Sequence, residues 1–203
     1  IGVQAGKTSQ GQNAIAIGVV AAMTNQSSGS IAIGEFAGRT NQGPTGGPTN
    51  STHNIAIGGY AGYNAQGSAA PGGSLLGKSV AIGYEAGYNE QSTSSTAIGD
   101  RAGRDNQGEN AISIGILAGY LNQGDRSVAI GQQTGSYNQS EDAIAIGYLA
   151  GYSQQSQYNV AIGNGAGQNG QGGQAIGIGR STGGTNQGAY ATAVGTFAAI
   201  TNQ

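Results

Sequence analysis

Side chains that could carry out acid–base or metal chemistry are few in this sequence and are not grouped. The single histidine, His53, has no carboxylate or second histidine close to it in sequence. The nine acidic residues, for example Glu35, Asp105 and Asp142, do not recur as a pair. Because the chain has no cysteine, it can form neither a disulfide nor a thiolate metal site. The sequence therefore predicts a protein that is not an enzyme, without a metal or other cofactor.

The charge balance limits the partners. Seven basic and nine acidic side chains give a formal net charge of -2. The chain therefore has no excess of positive charge that would attract nucleic acid. The apolar runs are too short to span a membrane. We therefore expect no nucleic-acid partner and no membrane insertion in this segment.

The elements that must position any functional side chain come from an internal repeat. A glycine closes a short apolar motif twelve times, and nine of the eleven spacings are 16 residues. Each unit reads (Ile/Val)-Ala-Ile-Gly-x-x-Ala-Gly-x-x-Asn-Gln, followed by a short connector. With 41 glycines among 203 residues, a helical array is excluded. The period predicts an all-β parallel β-solenoid, or β-roll, of about twelve 16-residue coils. Residues 1–203 form one such domain, which we expect to be a fragment of a longer chain.

Two β-branched positions alternate with a small one in each unit, which is the period of a strand. The larger pair is assigned to the interior as a structural ladder. Its members directly before the glycines include Ile17, Ile33, Ile57, Ile82, Ile98, Ile114, Ile130, Ile146, Ile162 and Ile178. The small residue between them, usually Ala, is expected to point outward. Close packing against identical chains would restrict its size; the alternative is that a small residue simply suits a flat ladder.

A glutamine follows each repeat glycine by eight residues in all twelve units. Such an invariant amide predicts side chains that stack on one another or cap backbone groups at a corner. The ladder includes Gln26, Gln42, Gln107, Gln123, Gln139 and Gln187.

Two features are candidate binding surfaces. Insertions at 43–53 and 67–78 lengthen the same corner of successive coils and contain His53, Leu75 and Leu76; loops on a rigid scaffold commonly carry binding. Tyrosines that share one column could stack on sugar rings, although cross-coil packing is the commoner role of such a column. These are Tyr63, Tyr88, Tyr120 and Tyr152.

The strings AIAIG at 14–18, SVAIG at 79–83 and NVAIG at 159–163 resemble the head repeats of trimeric autotransporter adhesins of the YadA type. AIGYEAG at 81–87 and AIGYLAG at 145–151 are similar to repeats of phage and large-virus fibre proteins. The resemblance implies a homotrimeric fibre, left-handed in the adhesins, located outside the cell, on a cell surface or on a virion.

We therefore expect a non-catalytic structural or adhesive fibre segment that presents loops for attachment to a host or surface. A surface glycan or receptor is the expected ligand. Two alternatives remain: a self-assembling extracellular filament, and an ice-binding β-solenoid. The alanine column, if outward, and the lack of a threonine ladder weigh against ice binding.

Overall fold

The structure is a computed structural model that describes residues 1–43, 53–67 and 77–200. Within these ranges the chain is all-β, with twenty strands of three residues each and no helix. Parallel strands of successive coils stack into a β-solenoid of about eleven turns, which confirms the predicted fold class.

One sheet runs through the whole described length and is called the Ile sheet. It has eleven strands in chain order. They are β2 (Ile15–Ile17), β4 (Ile31–Ile33), β6 (Ile55–Ile57), β7 (Val80–Ile82), β9 (Thr96–Ile98), β11 (Ile112–Ile114), β13 (Val128–Ile130), β15 (Ile144–Ile146), β17 (Val160–Ile162), β19 (Ile176–Ile178) and β20 (Thr192–Val194).

The opposite wall, called the Gln sheet, has a three-stranded and a six-stranded part. Asn64 bridges the two parts by pairing with Thr40 and Asn89. The strands are β1 (Thr8–Gln10), β3 (Thr24–Gln26), β5 (Thr40–Gln42), β8 (Asn89–Gln91), β10 (Asp105–Gln107), β12 (Leu121–Gln123), β14 (Tyr137–Gln139), β16 (Ser153–Gln155) and β18 (Asn169–Gln171).

Successive coils pair without any shift in register. Ile114 lies opposite Ile98 on one side and Ile130 on the other, so each column of the repeat becomes a straight row of side chains. The ladder continues through the corner after the Ile sheet, where the Leu117 amide donates to the Asp100 carbonyl at 2.9 Å. The 16-residue period therefore fixes the position of each side chain along the rod.

Left-handed backbone closes each coil. In the coil that begins at Gly115, φ is positive at Gly115 (127°), Leu117 (55°), Gly119 (54°), Asn122 (55°) and Arg126 (54°). At Gly115 a β-carbon would lie 2.5 Å from the carbonyl oxygen of Gly131 in the next coil. Glycine is required there because both the dihedral angle and the stacking distance exclude a side chain.

The core is built from alanine and glutamine, and our assignment of the isoleucines to the interior was wrong. The middle residue of each Ile-sheet strand is buried, as Ala129 and Ala145 show, whereas the flanking isoleucines point outward. A second buried alanine column, which includes Ala118 and Ala150, lies across the interior. The two sheets are too close for Ile: the interior admits methyl groups, hydroxyls and the flat amide of Gln.

Candidate functional site

The outward side chains of the Ile sheet form a regular apolar surface, here called the Ile face. It consists of the first and third residues of each Ile-sheet strand, which are half-buried or exposed within the chain. Val19, Ile116 and Tyr148, which are 45–50% exposed, extend it at the following corner. All ten isoleucines of the predicted ladder lie on this face, stacked in register.

The expected outward alanine column does not exist, because those alanines are inside the same chain. The narrow size tolerance of that column reflects the interior of the roll and not a neighbouring chain. The alanine column therefore gives no support to close packing between identical chains. The outward columns carry Ile, Val and Thr instead.

The glutamine column is an interior ladder, and from Gln26 to Gln187 its side chains are almost completely buried. In ten coils Nε2 donates to the backbone carbonyl of the residue eleven positions earlier, as in Gln66 to Ile55 at 2.6 Å and Gln171 to Val160 at 3.3 Å. Some amides also bond to each other: Gln91 donates to Gln107 at 3.2 Å. The bond to the backbone is made by all six glutamines named in the sequence analysis: Gln26, Gln42, Gln107, Gln123, Gln139 and Gln187.

Several of these buried amides leave an acceptor without a partner. Among the described residues, the Oε1 atoms of Gln26, Gln42, Gln91, Gln139 and Gln155 accept no hydrogen bond. In contrast, Oε1 of Gln123 accepts a bond from the Ser113 hydroxyl. Ser113 occupies a position that is alanine in most coils, so the substitution of a single residue completes the network locally.

The predicted tyrosine column lies along the corner that leads from the Ile sheet to the Gln sheet. Tyr63 and Tyr88 stack face to face, with ring centroids 4.8 Å apart and an interplanar angle of 7°. The Arg104 guanidinium lies 4.9 Å from the Tyr88 centroid and 5.7 Å from that of Tyr120. The rings therefore use their faces chiefly to contact one another and arginine across coils. We call this row the aromatic edge.

Sequence reasoning missed part of the aromatic edge. In one coil Ser136 takes the tyrosine position and is buried, and the next residue, Tyr137, fills the gap. Its ring makes edge contacts with Tyr120 at 6.0 Å and Tyr152 at 5.3 Å. Phe36 likewise stacks on Tyr60 at 4.9 Å. Phe36 and Tyr137 lie two and six residues after their repeat glycines, outside the column of Tyr63, so the tyrosine column alone does not identify them.

The packing of the aromatic edge changes the acidity of its phenols. Burial raises the pKa of Tyr88, and the neighbouring Tyr63 adds to the shift. The pKa of Tyr84, which is exposed, is raised chiefly by its hydrogen bond with Glu85. Burial alone would lower the pKa of Arg104, but the hydrogen bond that Arg104 donates to Glu85 and the charge of Asp105 hold this pKa above its ordinary value.

An exposed asparagine ladder on the Gln sheet was also missed. Asn106 donates through Nδ2 to Oδ1 of Asn122 at 2.9 Å, and Asn122 to Asn138 at 3.0 Å. These residues have φ of about 55°, a conformation that asparagine tolerates better than most residues do. The frequent Asn before Gln in the repeat was the available signal.

Along the chain, the insertions fall between a segment of the Gln sheet and the next Ile-sheet strand. Leu75 and Leu76 fall outside the described residues, as do 44–52 and the rest of 68–76. His53 is described: it is exposed, and its ring lies against Gly29 of the preceding coil. Within the described ranges, no three His, Asp or Glu side chains are grouped so that they could hold a metal ion.

Comparison of the chain with family models, curated proteins and solved structures gives no match. The resemblance to adhesin heads and virus fibres therefore stays a prediction. In the part of the chain that the structure describes, no helix has the length and apolar character needed to cross a membrane.

Proposed function

We propose that this chain is a non-catalytic segment of a structural, adhesive fibre whose copies associate through the Ile face. The observation that supports this proposal most directly is the Ile face, a straight outward array of Ile, Val and Thr on eleven strands in register. The trimeric state and the location, outside the cell on a cell or virion surface, come from the resemblance and are part of the proposal.

The size of the Ile face supports association. Eleven strands spaced by about 4.8 Å make it roughly 50 Å long, and its two columns cover on the order of 500 Å². Monomeric proteins seldom expose a larger contiguous apolar patch, and such patches commonly mark interaction sites. No acidic or basic residue interrupts the two columns, so identical faces meet without charge repulsion.

The test is the mass in solution by light scattering, with negative-stain microscopy of the same sample. We expect finite rods of three 19.9 kDa chains. Ile114→Lys and Ile146→Lys, which place a charge on the Ile face, should give monomers. Asn122→Lys, on the opposite sheet, is the matched control and should keep the trimer mass. A wild-type monomer at all concentrations would overturn association, and open-ended filaments would favour the self-assembling alternative.

The corrected orientation also favours a second function. A flat, regular outward array of β-branched side chains is a surface suited to ordered water, and the outward alanine column that weighed against ice binding is absent. Thr96 and Thr192 are the threonines in its described strands. Thermal hysteresis that disappears in a folded Ile114→Lys variant, together with a monomeric mass, would select this function over the fibre.

A further inference from the structure

Two arginines occupy the same column of the aromatic edge, but their surroundings differ. Arg104 donates through Nε to Glu85 at 2.8 Å and through Nη1 to Asp105. Its charge is therefore neutralised by two carboxylates while its face contacts two tyrosine rings. Arg104 is a structural arginine whose ion pairs lie within the fold.

Arg39 has the same kind of aromatic neighbour without the carboxylates. Its guanidinium carbon lies 5.2 Å from the Tyr63 centroid. The positions that correspond to Glu85 and Asp105 are occupied by Val20 and Thr40. All nine acidic residues of the chain lie in the described ranges, and none of them forms an ion pair with Arg39.

The hydrogen-bonding capacity of Arg39 is also incompletely used. Nη1 donates to the Tyr63 hydroxyl at 2.9 Å, whereas Nε is buried and has no partner among the described residues. Leaving a half-buried guanidinium without an anionic acceptor is costly, since charged donors lose more than neutral ones when they leave water. An anionic ligand that reaches the half-buried guanidinium would therefore gain binding energy there.

The electrostatic surroundings favour an anion at this end of the aromatic edge. Lys7 and Met23 precede Arg39 in the same column, one coil apart, so two cations flank an apolar side chain. The first acidic residue of the chain is Glu35, which lies in the column of Val19 beside the Ile face. Neither Lys7 nor Arg39 has a carboxylate partner in the described chain.

We propose that Arg39 is the centre of a binding site for a carboxylate-bearing sugar of a glycan. A planar guanidinium matches a carboxylate in two parallel hydrogen bonds. The neighbouring Gln-sheet columns carry the half-buried hydroxyls of Thr24 and Thr40 and the amide of Asn41, which suit sugar hydroxyls. The Tyr63 hydroxyl, which accepts the hydrogen bond from Arg39 Nη1, holds the guanidinium in place at the site. This inference rests on the adhesive function proposed above and adds to it the chemical class of the ligand.

The test is calorimetric titration with an oligogalacturonate at low salt, with its methyl-esterified form as the uncharged probe. Wild-type protein should bind the acid and not the ester, and added salt should weaken binding because the contact is partly exposed. Arg39→Met should reduce affinity about tenfold to a hundredfold, the range of a charge-assisted hydrogen bond. Methionine is already present in this column at Met23, so we expect the variant to fold.

Two further variants make the result specific. Thr40→Asp places beside Arg39 the carboxylate that Asp105 provides for Arg104, and should abolish binding while the melting temperature is retained. Arg180→Gln removes another arginine that lacks a carboxylate partner. This variant should bind the acid with the affinity of the wild-type protein. Equal binding of acid and ester, no binding of the acid, or unchanged affinity in folded Arg39→Met would overturn the site. The solution mass is read separately, so a failure of this site leaves the fibre proposal standing.

Discussion

At the scale of single residues, side-chain volume decides which face of a coil is inside. Ala145 is buried and Ile146 points outward, although hydrophobicity alone favours the reverse. The sequence predicted the alternation but not its direction, since either face of an Ile-Ala-Ile strand is apolar. A signal for the correct direction was the second size-restricted column, the Ala or Thr three residues after each glycine, which is also buried in most coils.

The unpaired acceptors of the interior amides lead to a prediction about Ala129. Ala129→Ser should place a hydroxyl ten residues before Gln139, as Ser113 is placed before Gln123, and so satisfy Oε1 of Gln139. We expect the free energy of unfolding, measured in urea, to rise by about 1 kcal/mol, the typical contribution of one hydrogen bond.

The control for this change is Ala161→Ser. It precedes Gln171 by the same ten residues, but Oε1 of Gln171 already accepts a bond from Gln155 at 3.4 Å. The free energy of unfolding should therefore rise less for Ala161→Ser than for Ala129→Ser. Equal free energies of unfolding for the two variants would show that the missing acceptor bond is not the cause.

At the scale of strands and corners, the sequence predicted the regular part and missed the turns. The period of two and the 16-residue repeat predicted the strands and their register. The coil that begins at Gly115 has five residues with positive φ, four of them outside its strands, and several are not glycine, such as Leu117 and Arg126. Their conformation is imposed by stacking against neighbouring coils and not by local preference, so the pairing of Tyr137 with Tyr120 and Tyr152 could not be predicted.

The first corner of each coil should be intolerant of any side chain at the repeat glycine. Gly115→Ala adds a β-carbon 2.5 Å from the Gly131 carbonyl oxygen at φ 127°, and we expect a loss of about 1–3 kcal/mol or more. Gly173→Ala is the matched control, because the nearest atom there is 4.0 Å away. Thermal unfolding of both variants checks this, and similar melting temperatures would contradict the stacking geometry.

The aromatic edge predicts a loss of stability at alkaline pH. Because the pKa of Tyr88 is raised above 10.0 in the folded state, chiefly by burial, the folded state holds this proton more tightly than the unfolded state. The resulting stabilisation is complete below about pH 10 and is lost as the pH rises through the folded pKa. Absorbance of the phenolate, followed together with unfolding, should show Tyr88→Phe to be less sensitive to alkali. Identical alkaline profiles would contradict this assignment.

At the scale of the whole molecule, the coil is the unit of folding. Each coil contacts its two neighbours, so the stability of the array is approximately a sum of coil and interface terms. The rod and its apolar surface follow from the repeat, but the unpaired state of Arg39 does not. It depends on which residues neighbouring coils place around one column, and the repeat pattern does not specify those residues.

Removing one whole coil should leave the fold intact. Deletion of residues 115–130 joins Ile114 to Gly131 and restores the repeat, so we expect a cooperative melt with only a slightly lower midpoint. Deletion of residues 115–122 removes half a coil and should prevent stacking beyond that point. Circular dichroism during heating distinguishes the two, and equal damage from both deletions would contradict the coil as a unit.

The central claim is that isoleucine faces outward and forms the contact between copies, whereas alanine faces inward. The chain has no cysteine, so oxidation of single-cysteine variants, followed by a non-reducing gel, tests both parts at once. Ile146→Cys should give covalent dimers, because the same side chains of neighbouring copies meet across the Ile face. Ala145→Cys should give none, because its thiol is enclosed in its own coil. Dimers from Ala145→Cys and none from Ile146→Cys would contradict the account.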